Sequence, residues 1–268
     1  MRVIVMTEIK IKSESGSHWY YRDGTPCYEI EKKTKPGEFR AVNLQWDRKL
    51  NLVPSVTTVQ KIKANSAIER WKQSKLAEVA VTFPINGRQP SEVVPLILDE
   101  WREEMGRAAD AGSHYHAEIE KVIALDDFVV DLPDKTVLAI GDWMFENLVQ
   151  AQLIEESFAS PLGFGGKIDL IGEWKTTRRP LILDWKTTDT YPDKPISYWP
   201  SWCEQLAAYA RGINLLDADL VNVVISRTEP GRLEHKQWTE EEIAYGWDGF
   251  KKAFELWMHD KKYDPREG

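Results

Sequence analysis

Residues 165–188 read GGKIDLIGEWKTTRRPLILDWKTT, and the fold turns on how this stretch is read. Gly165–Trp174 and Pro180–Thr187 are runs rich in Ile and Leu, separated by polar turn residues, which predicts two consecutive strands. Side chains alternate along a strand, so Asp184 and Lys186 point one way and Trp185 the other. Pairing of the two strands as an antiparallel hairpin brings Asp169 alongside Asp184, and two carboxylates then converge beside an ammonium group. Like charges desolvated together repel, and a divalent cation removes that cost. Carboxylate oxygens are the hard ligands that Mg²⁺ requires. An isolated D-x-K is common and means little. Here an apolar strand precedes it, and Gly166-x-x-Asp169 stands upstream.

Working outward, Gln152–Ala159 reads as a third strand before the hairpin. It carries Glu155, which can approach a metal through water, next to Glu156; a slip of one residue would exchange which of the two faces inward. Further upstream, Gly112-Ser-His-Tyr-His116-Ala-Glu-Ile-Glu120 lies in a helical region spanning about 95 to 125, with a break expected near Gly112. His116 and Glu120 are four residues apart and share a helix face. His116 can supply a nitrogen ligand and Glu120 can orient the imidazole. Downstream, a helix over Ser197–Leu215 carries Gln205 and Tyr209 on one face, able to bond DNA or the edge of the site.

Other elements fill in the fold. A helix begins at the N-cap candidate Asn65, with Ile68, Trp71, Leu76, Val79 and Ala80 on its stripe, and another spans about Asp134 to Ala151. Leu220–Arg227 (LVNVVISR) reads as a buried strand and Arg232–Trp238 as a further strand. A closing helix starts at Thr239, which forms a capping box with Glu242; its stripe is Ile243, Trp247, Phe250, Phe254 and Trp257. Near the N-terminus, alternating Val3, Val5, Ile9 and Ile11 and the segments His18–Tyr21 and Phe39–Leu44 suggest short strands. The order implies an α/β or α+β fold, a central mixed sheet flanked by helices. Residues 1–50 form an appended N-terminal lobe, helical or irregular and rich in strands and loops, and residues 51–268 the main domain.

The chain has 268 residues, with 35 Lys+Arg against 43 Asp+Glu and a formal charge of −8. That balance argues against coating nucleic acid by bulk charge, though not against an enzyme with a local basic groove. No stretch of about 18 apolar residues spans a membrane. The first residues lack the apolar block of a signal peptide, and a reducing cytoplasm is expected. Cys27 and Cys203 cannot make a disulfide framework or a four-thiolate cluster, and no phosphate-binding G-x-x-x-x-G-K-[ST] motif is present.

The ordered set Gly112-x-x-x-His116, Gly166-x-x-Asp169, Asp184-x-Lys186-Thr-Thr188 and Gln205-x-x-x-Tyr209 resembles the PD-(D/E)xK nuclease superfamily, in its RecB-type exonuclease branch. Upstream, Leu52-Val-Pro-Ser-Val-Thr-Thr58, Ile68-Glu-Arg-Trp-Lys72 and Glu78 look like the opening segment of the mitochondrial genome maintenance exonuclease and its phage-encoded relatives. The resemblance covers roughly residues 52 to 260. It implies a restriction-endonuclease-like core with Asp169 and Asp184 holding Mg²⁺ or Mn²⁺. It also implies His116 as a further ligand, the main-chain carbonyl of Trp185 completing the coordination, and Lys186 as catalytic. No iron–sulfur cluster and no nucleotide cofactor are expected. The implied activity is a metal-dependent DNA exonuclease acting on single strands or strand ends in phage-type recombination. A structure-selective endonuclease or duplex-resecting exonuclease, and a non-catalytic nucleic-acid-binding module, are the alternatives. The expected partner is DNA, with no membrane; a second copy of the chain or a recombination protein could join it. Phosphate contacts are expected from Ser55, Thr57 and Thr58, from Arg70 and Lys72, and from Arg178 and Arg179 at the hairpin turn.

Overall fold

A computed structural model describes residues 18–32, 34–42, 49–63, 66–124, 131 and 133–267. The strand pattern expected at Val3–Ile11 and the helix cap expected at Asn65 lie outside them. In chain order the elements are β1 (Trp19–Tyr20), β2 (Glu29–Glu31), β3 (Phe39–Ala41), β4 (Val53–Pro54), α1 (Val56–Gln60), α2 (Ser66–Thr82), α3 (Pro90–Ala124) and α4 (Asp134–Asn147). They continue as β5 (Leu148–Ala159), β6 (Gly165–Trp174), β7 (Pro180–Thr188), α5 (Pro200–Gly212), β8 (Asp219–Ser226), β9 (Leu233–Gln237) and α6 (Glu240–Lys261). The chain divides into two compact units, Met1–Gly16 with Ser66–His114, and Ser17–Asn65 with Tyr115–Gly268.

In the first unit, α2 is a largely surface helix: Val79 is buried, but Trp71, expected on the buried stripe, is exposed. Helix α3 runs unbroken from Pro90 to Ala124. The break expected near Gly112 does not occur, because a glycine inside a helix costs only about 1 kcal/mol and neighbouring turns outvote it.

The second unit is a mixed α+β structure around a five-stranded sheet in the order β5-β6-β7-β8-β9. All neighbours are antiparallel except β7 and β8, which run parallel. A parallel pair needs a crossover, and α5 supplies it. One apolar cluster joins Ile168, Ile182 and Leu220 of the sheet to Leu206 and Ala207 of α5, Phe250 and Phe254 of α6, and Val56 and Val59 of α1. A second joins Leu181, Leu183, Trp185, Val221 and Val223 to Trp143 of α4 and Ile119 of α3. Both faces of the central strands are thus covered, which is why β7 and β8 read as nearly continuous apolar runs. Each such side chain contributes roughly 1.5–3 kcal/mol by burial.

Helix α4 stops at Asn147, so Leu148 and Ala151, read as part of its stripe, belong instead to β5. The capping box at Thr239 and Glu242 forms as the sequence indicated, and Phe250, Phe254 and Trp257 of α6 are buried. The segment 18–42 contributes the β2–β3 hairpin and β1, which pairs with β4. Cys27 and Cys203 are separate, buried thiols, and among the described residues no helix is long and apolar enough to cross a membrane.

Gly166 permits the approach of α5 to β6: a Cβ there would lie 2.5 Å from Cε1 of Tyr209 and 3.0 Å from Cε1 of Phe158. Gly106, inside α3, has nothing within 4 Å of such an atom. Gly166→Ala is therefore expected to destabilise the protein by about 1–3 kcal/mol through overpacking. Gly106→Ala should stabilise it by roughly 0.5–1 kcal/mol by restricting the unfolded chain and favouring the helix. Urea unfolding of the two variants beside the parent checks both signs.

Candidate metal centre

The ladder between β6 and β7 ends at Leu170 and Leu183. Beyond that point the backbone N–H of Trp185 donates to Oδ2 of Asp169 at 2.7 Å, so a carboxylate takes the place of a strand partner. On the other side of β6, Ile154 pairs with Leu170 and Glu156 with Ile168, which leaves Glu155 facing Asp169. Glu155 has φ 56°, a left-handed conformation unusual for a side chain of its kind. Ile168 packs into the first apolar cluster and Leu170 into the second, so simple alternation fails at Asp169. These paired irregularities settle which of Glu155 and Glu156 meets Asp169.

His116, Glu155 and Asp169 each bring a ligand atom within 4.8 Å of the other two, a spacing open to a shared metal ion. His116 comes from α3, and its Nδ1 is 3.7 Å from Oδ2 of Asp169. Burial, and then the charge of Lys186, hold the His116 imidazole below its ordinary pKa. It therefore keeps a lone pair at neutral pH, as a metal ligand must. Asp169 is shifted the other way, well above an ordinary aspartate, by burial first and then by the carboxylates of Asp184 and Glu155. Glu155 also forms a close ion pair with Lys167. Burial, the largest influence, would lower the Lys167 pKa, but the charge and hydrogen bond of Glu155 with the charges of Glu120 and Tyr28 together hold the ammonium above its usual value. Glu120, on the same helix as His116, also adds to the field at Lys167.

Asp184 sits beside this group rather than in it. Its side chain is 3% exposed and both oxygens are engaged: Nζ of Lys186 lies 3.0 Å from Oδ1 and 2.7 Å from Oδ2. Nε2 of Gln205 donates to Oδ1 at 3.0 Å, and Nδ2 of Asn222 donates to Oδ2 at 2.7 Å. Gln205 further accepts from Lys186 at 3.1 Å and donates to the Tyr209 hydroxyl at 2.9 Å. Burial, then Asp184, raise the Tyr209 pKa well above that of an ordinary phenol, so it stays protonated. The spacing of Gln205 and Tyr209 on α5 thus serves the Asp184–Lys186 pair.

Glu155, read from the sequence as acting through water, brings a carboxylate oxygen into the group with His116 and Asp169, while Asp184 stands beside it with donors on both oxygens. Trp185 buries its indole in the second cluster and offers its N–H to Asp169. Sequence reading passed over Lys167 and Asn222. The signal for Asn222 was a lone amide in the apolar run LVNVVIS, since a polar side chain buried in such a strand needs a partner.

Most of the residues expected to contact phosphate have partners within the chain. Ser55 caps α1, its hydroxyl accepting from Thr58 N at 3.0 Å, and is within hydrogen-bonding distance of Thr57 and Thr58. Ser55 and Thr58 are buried. Arg178 and Arg179 lie at the far end of the β6–β7 hairpin, six and five residues from Asp184, roughly 16–20 Å of extended chain. There Arg178 pairs with Glu173 at 3.2 Å and Arg179 with Asp219 at 3.1 Å. In the first unit Arg70 is on the exposed face of α2, and Lys72 pairs with Glu69 at 2.9 Å.

No family model and no curated protein matches this chain. Among solved structures it is similar to one described as "Crystal structure of SSO0001", at 15% identity over 70% of this chain and 87% of that chain, with a TM-score of 0.30. A likeness that distant carries no argument about the site.

The raised pKa of Asp169 has a definite sign. Its contribution to the stability of the metal-free protein is complete below the unfolded aspartate pKa and is lost as pH rises through the folded value. Asp169→Asn keeps an acceptor for Trp185 N–H and removes the repulsion. The metal-free variant should therefore gain stability over the parent as pH rises, and should lose the increase in Tm that Mn²⁺ gives the parent. Thermal unfolding at pH 5 and pH 8, with chelator and with Mn²⁺, tests both parts.

Proposed function

We propose that the chain is a metal-dependent deoxyribonuclease of the PD-(D/E)xK type, acting as an exonuclease on single-stranded DNA or strand ends. The carrying observation is the meeting of His116, Glu155 and Asp169 next to the Asp184–Lys186 pair, at the point where two strands part. Within this group Glu155, Asp169 and Asp184 are acids crowded beside the ammonium groups of Lys167 and Lys186. The excess negative charge, and the pressure on Asp169 to hold a proton, favour a divalent cation there. Two carboxylates with one imidazole are a donor set suited to Mg²⁺ and better to Mn²⁺.

His116, Glu155 and Asp169 would hold the ion, with Asp184 alongside. A bound dication supplies charge neutralisation at a phosphoryl oxygen and acidification of water. The residues of the chain do the rest. Lys186, held by both oxygens of Asp184 and by Gln205, sets its positive charge beside charge developing on the phosphate or the attacking water. Gln205 keeps the lysine from folding back, and Tyr209 fixes Gln205. Asp169, tied to the Trp185 backbone, keeps its carboxylate aimed between His116 and Glu155.

Digestion of end-labelled linear and circular DNA, single- and double-stranded, with Mg²⁺, Mn²⁺ or chelator, tests the reading. Shortening of linear single strands from an end, with circles untouched, is the expected result, and Mn²⁺ should serve at least as well as Mg²⁺. Opening of circles would assign an endonuclease. Binding without cleavage in every metal would assign a non-catalytic module. Lys186→Ala and Asp169→Ala should each lower the rate by at least about a hundredfold, the scale of a lost electrostatic or acid–base contribution.

A further inference from the structure

Every donor that holds Asp184 is accounted for by the recognised motif except one. Strands β7 and β8 are parallel with Asp184 in register with Asn222, so the two side chains stand next to each other on the same face. Asn222 is fully buried within the otherwise apolar run Leu220–Ile225 of β8. Its Nδ2 donates at 2.7 Å to Oδ2 of Asp184 and at 3.2 Å to the main-chain oxygen of the same residue. Its Oδ1 accepts from Nε1 of Trp238 at 2.7 Å. We propose that Asn222 and Trp238 together act as a positioning device, locking the Asp184 carboxylate in the orientation that Lys186 and Gln205 require. The inference rests on the nuclease reading above.

The indole is what makes the lock directional. An asparagine side chain can turn over, exchanging its oxygen for its NH₂ group. An indole N–H only donates. With Trp238 in place, the turned-over amide would set a carbonyl oxygen against the Asp184 carboxylate and an NH₂ against the indole N–H. Both contacts repel, so a single orientation survives. The ring is itself clamped. Nζ of Lys236 sits 3.9 Å from the Trp238 ring centroid and pairs with Glu242 at 2.6 Å. Glu242 in turn closes the capping box of α6. A cation over the ring face makes the indole N–H a stronger donor as well as holding the ring. The chain of contacts thus runs from the start of α6 through Trp238 and Asn222 to Asp184. It ends where Lys186 meets the space beside the metal ligands.

Trp238→Phe removes the donor and keeps an aromatic ring in the cluster; Asn222→Leu removes the amide at similar volume. Both variants and their double are assayed on an end-labelled single-stranded oligonucleotide with Mn²⁺. The expected result is a fall in kcat of about tenfold for Trp238→Phe, at the low end of the range for residues that orient a metal-site ligand, with KM little changed. The double variant should be no slower than Asn222→Leu alone, since Trp238 acts through the amide. An unchanged kcat in folded Trp238→Phe, or losses that multiply in the double variant, would overturn the proposal. Acylation of lysines read by mass spectrometry gives a measure independent of cleavage. In Trp238→Phe, Lys186 should label several-fold faster relative to Lys63, which is paired with Glu204 far along the chain. Equal labelling ratios in parent and variant would also overturn it. A parent protein that cut no substrate would end the nuclease reading alone, and the labelling ratio would still decide the role of the pair.

Discussion

Carboxylates gathered at the parted end of two strands repel one another, and the rest of the site is arranged around that repulsion. Glu155 faces Asp169 across β5 and β6, and Asp184 acts on Asp169 from β7. Left alone, such a group would expel a charge to solvent or take up a proton. The structure answers each acid separately. Lys167 pairs with Glu155, Lys186 with Asp184, and the Trp185 backbone N–H with Asp169. Asp169 lacks an ammonium partner among these pairs, and its pKa is raised. The deficit is local, and it is where His116 points a neutral imidazole.

The apolar framework makes this tolerable. Two clusters, one on each face of the sheet, fix β7 between α5 on one side and the α3–α4 pair on the other. Trp185 serves both requirements at once. Its side chain fills the second cluster, while its backbone turns from the ladder to Asp169. A smaller side chain there would still offer the N–H, but the strand would be held less firmly where its regular pairing has stopped. Gly166 plays the complementary part on β6, giving up a side chain so that Tyr209 can approach and hold Gln205 against Asp184.

The hairpin of Gly165–Trp174 and Pro180 onward was legible because long Ile/Leu runs bounded by turn residues leave few alternatives, and the observed strands match it nearly residue for residue. The capping box at Thr239 was legible for a similar reason: two side chains at a fixed spacing declare a helix start. Other features depended on tertiary balance. Gly112 could have broken α3, but its cost in a helix is too small to outweigh the helical turns on either side. Leu148 and Ala151 satisfy a helical period and a strand equally well, so the sheet, not the period, claimed them. The facing of Glu155 was not legible because register shifts earlier in β5 and a left-handed backbone at Glu155 decide which of two adjacent acids faces inward, and no residue pattern announces either. Arg178 and Arg179 were assigned to the site by proximity in sequence to the two acid-bearing strands. The turn of an antiparallel hairpin, however, lies at the opposite end from residues placed where the strands diverge.

The same accounting bears on how an acidic protein could handle a polyanion. With a formal charge of −8 the chain as a whole repels phosphate. Lys186 and Lys167, the ammonium groups closest to the acids, are each committed to a carboxylate and carry little net field outward. Under the proposed function, attraction for a phosphodiester therefore cannot precede neutralisation of the acids. The ion that relieves Asp169 would also reverse the local sign of the potential, because it frees the lysines from being the sole counter-charge. Metal binding and substrate binding would then be coupled through electrostatics alone, with no movement of the sheet required. A basic groove elsewhere on the surface would weaken that coupling. The ion pairs that hold Arg178, Arg179 and Lys72 are consistent with its being strong.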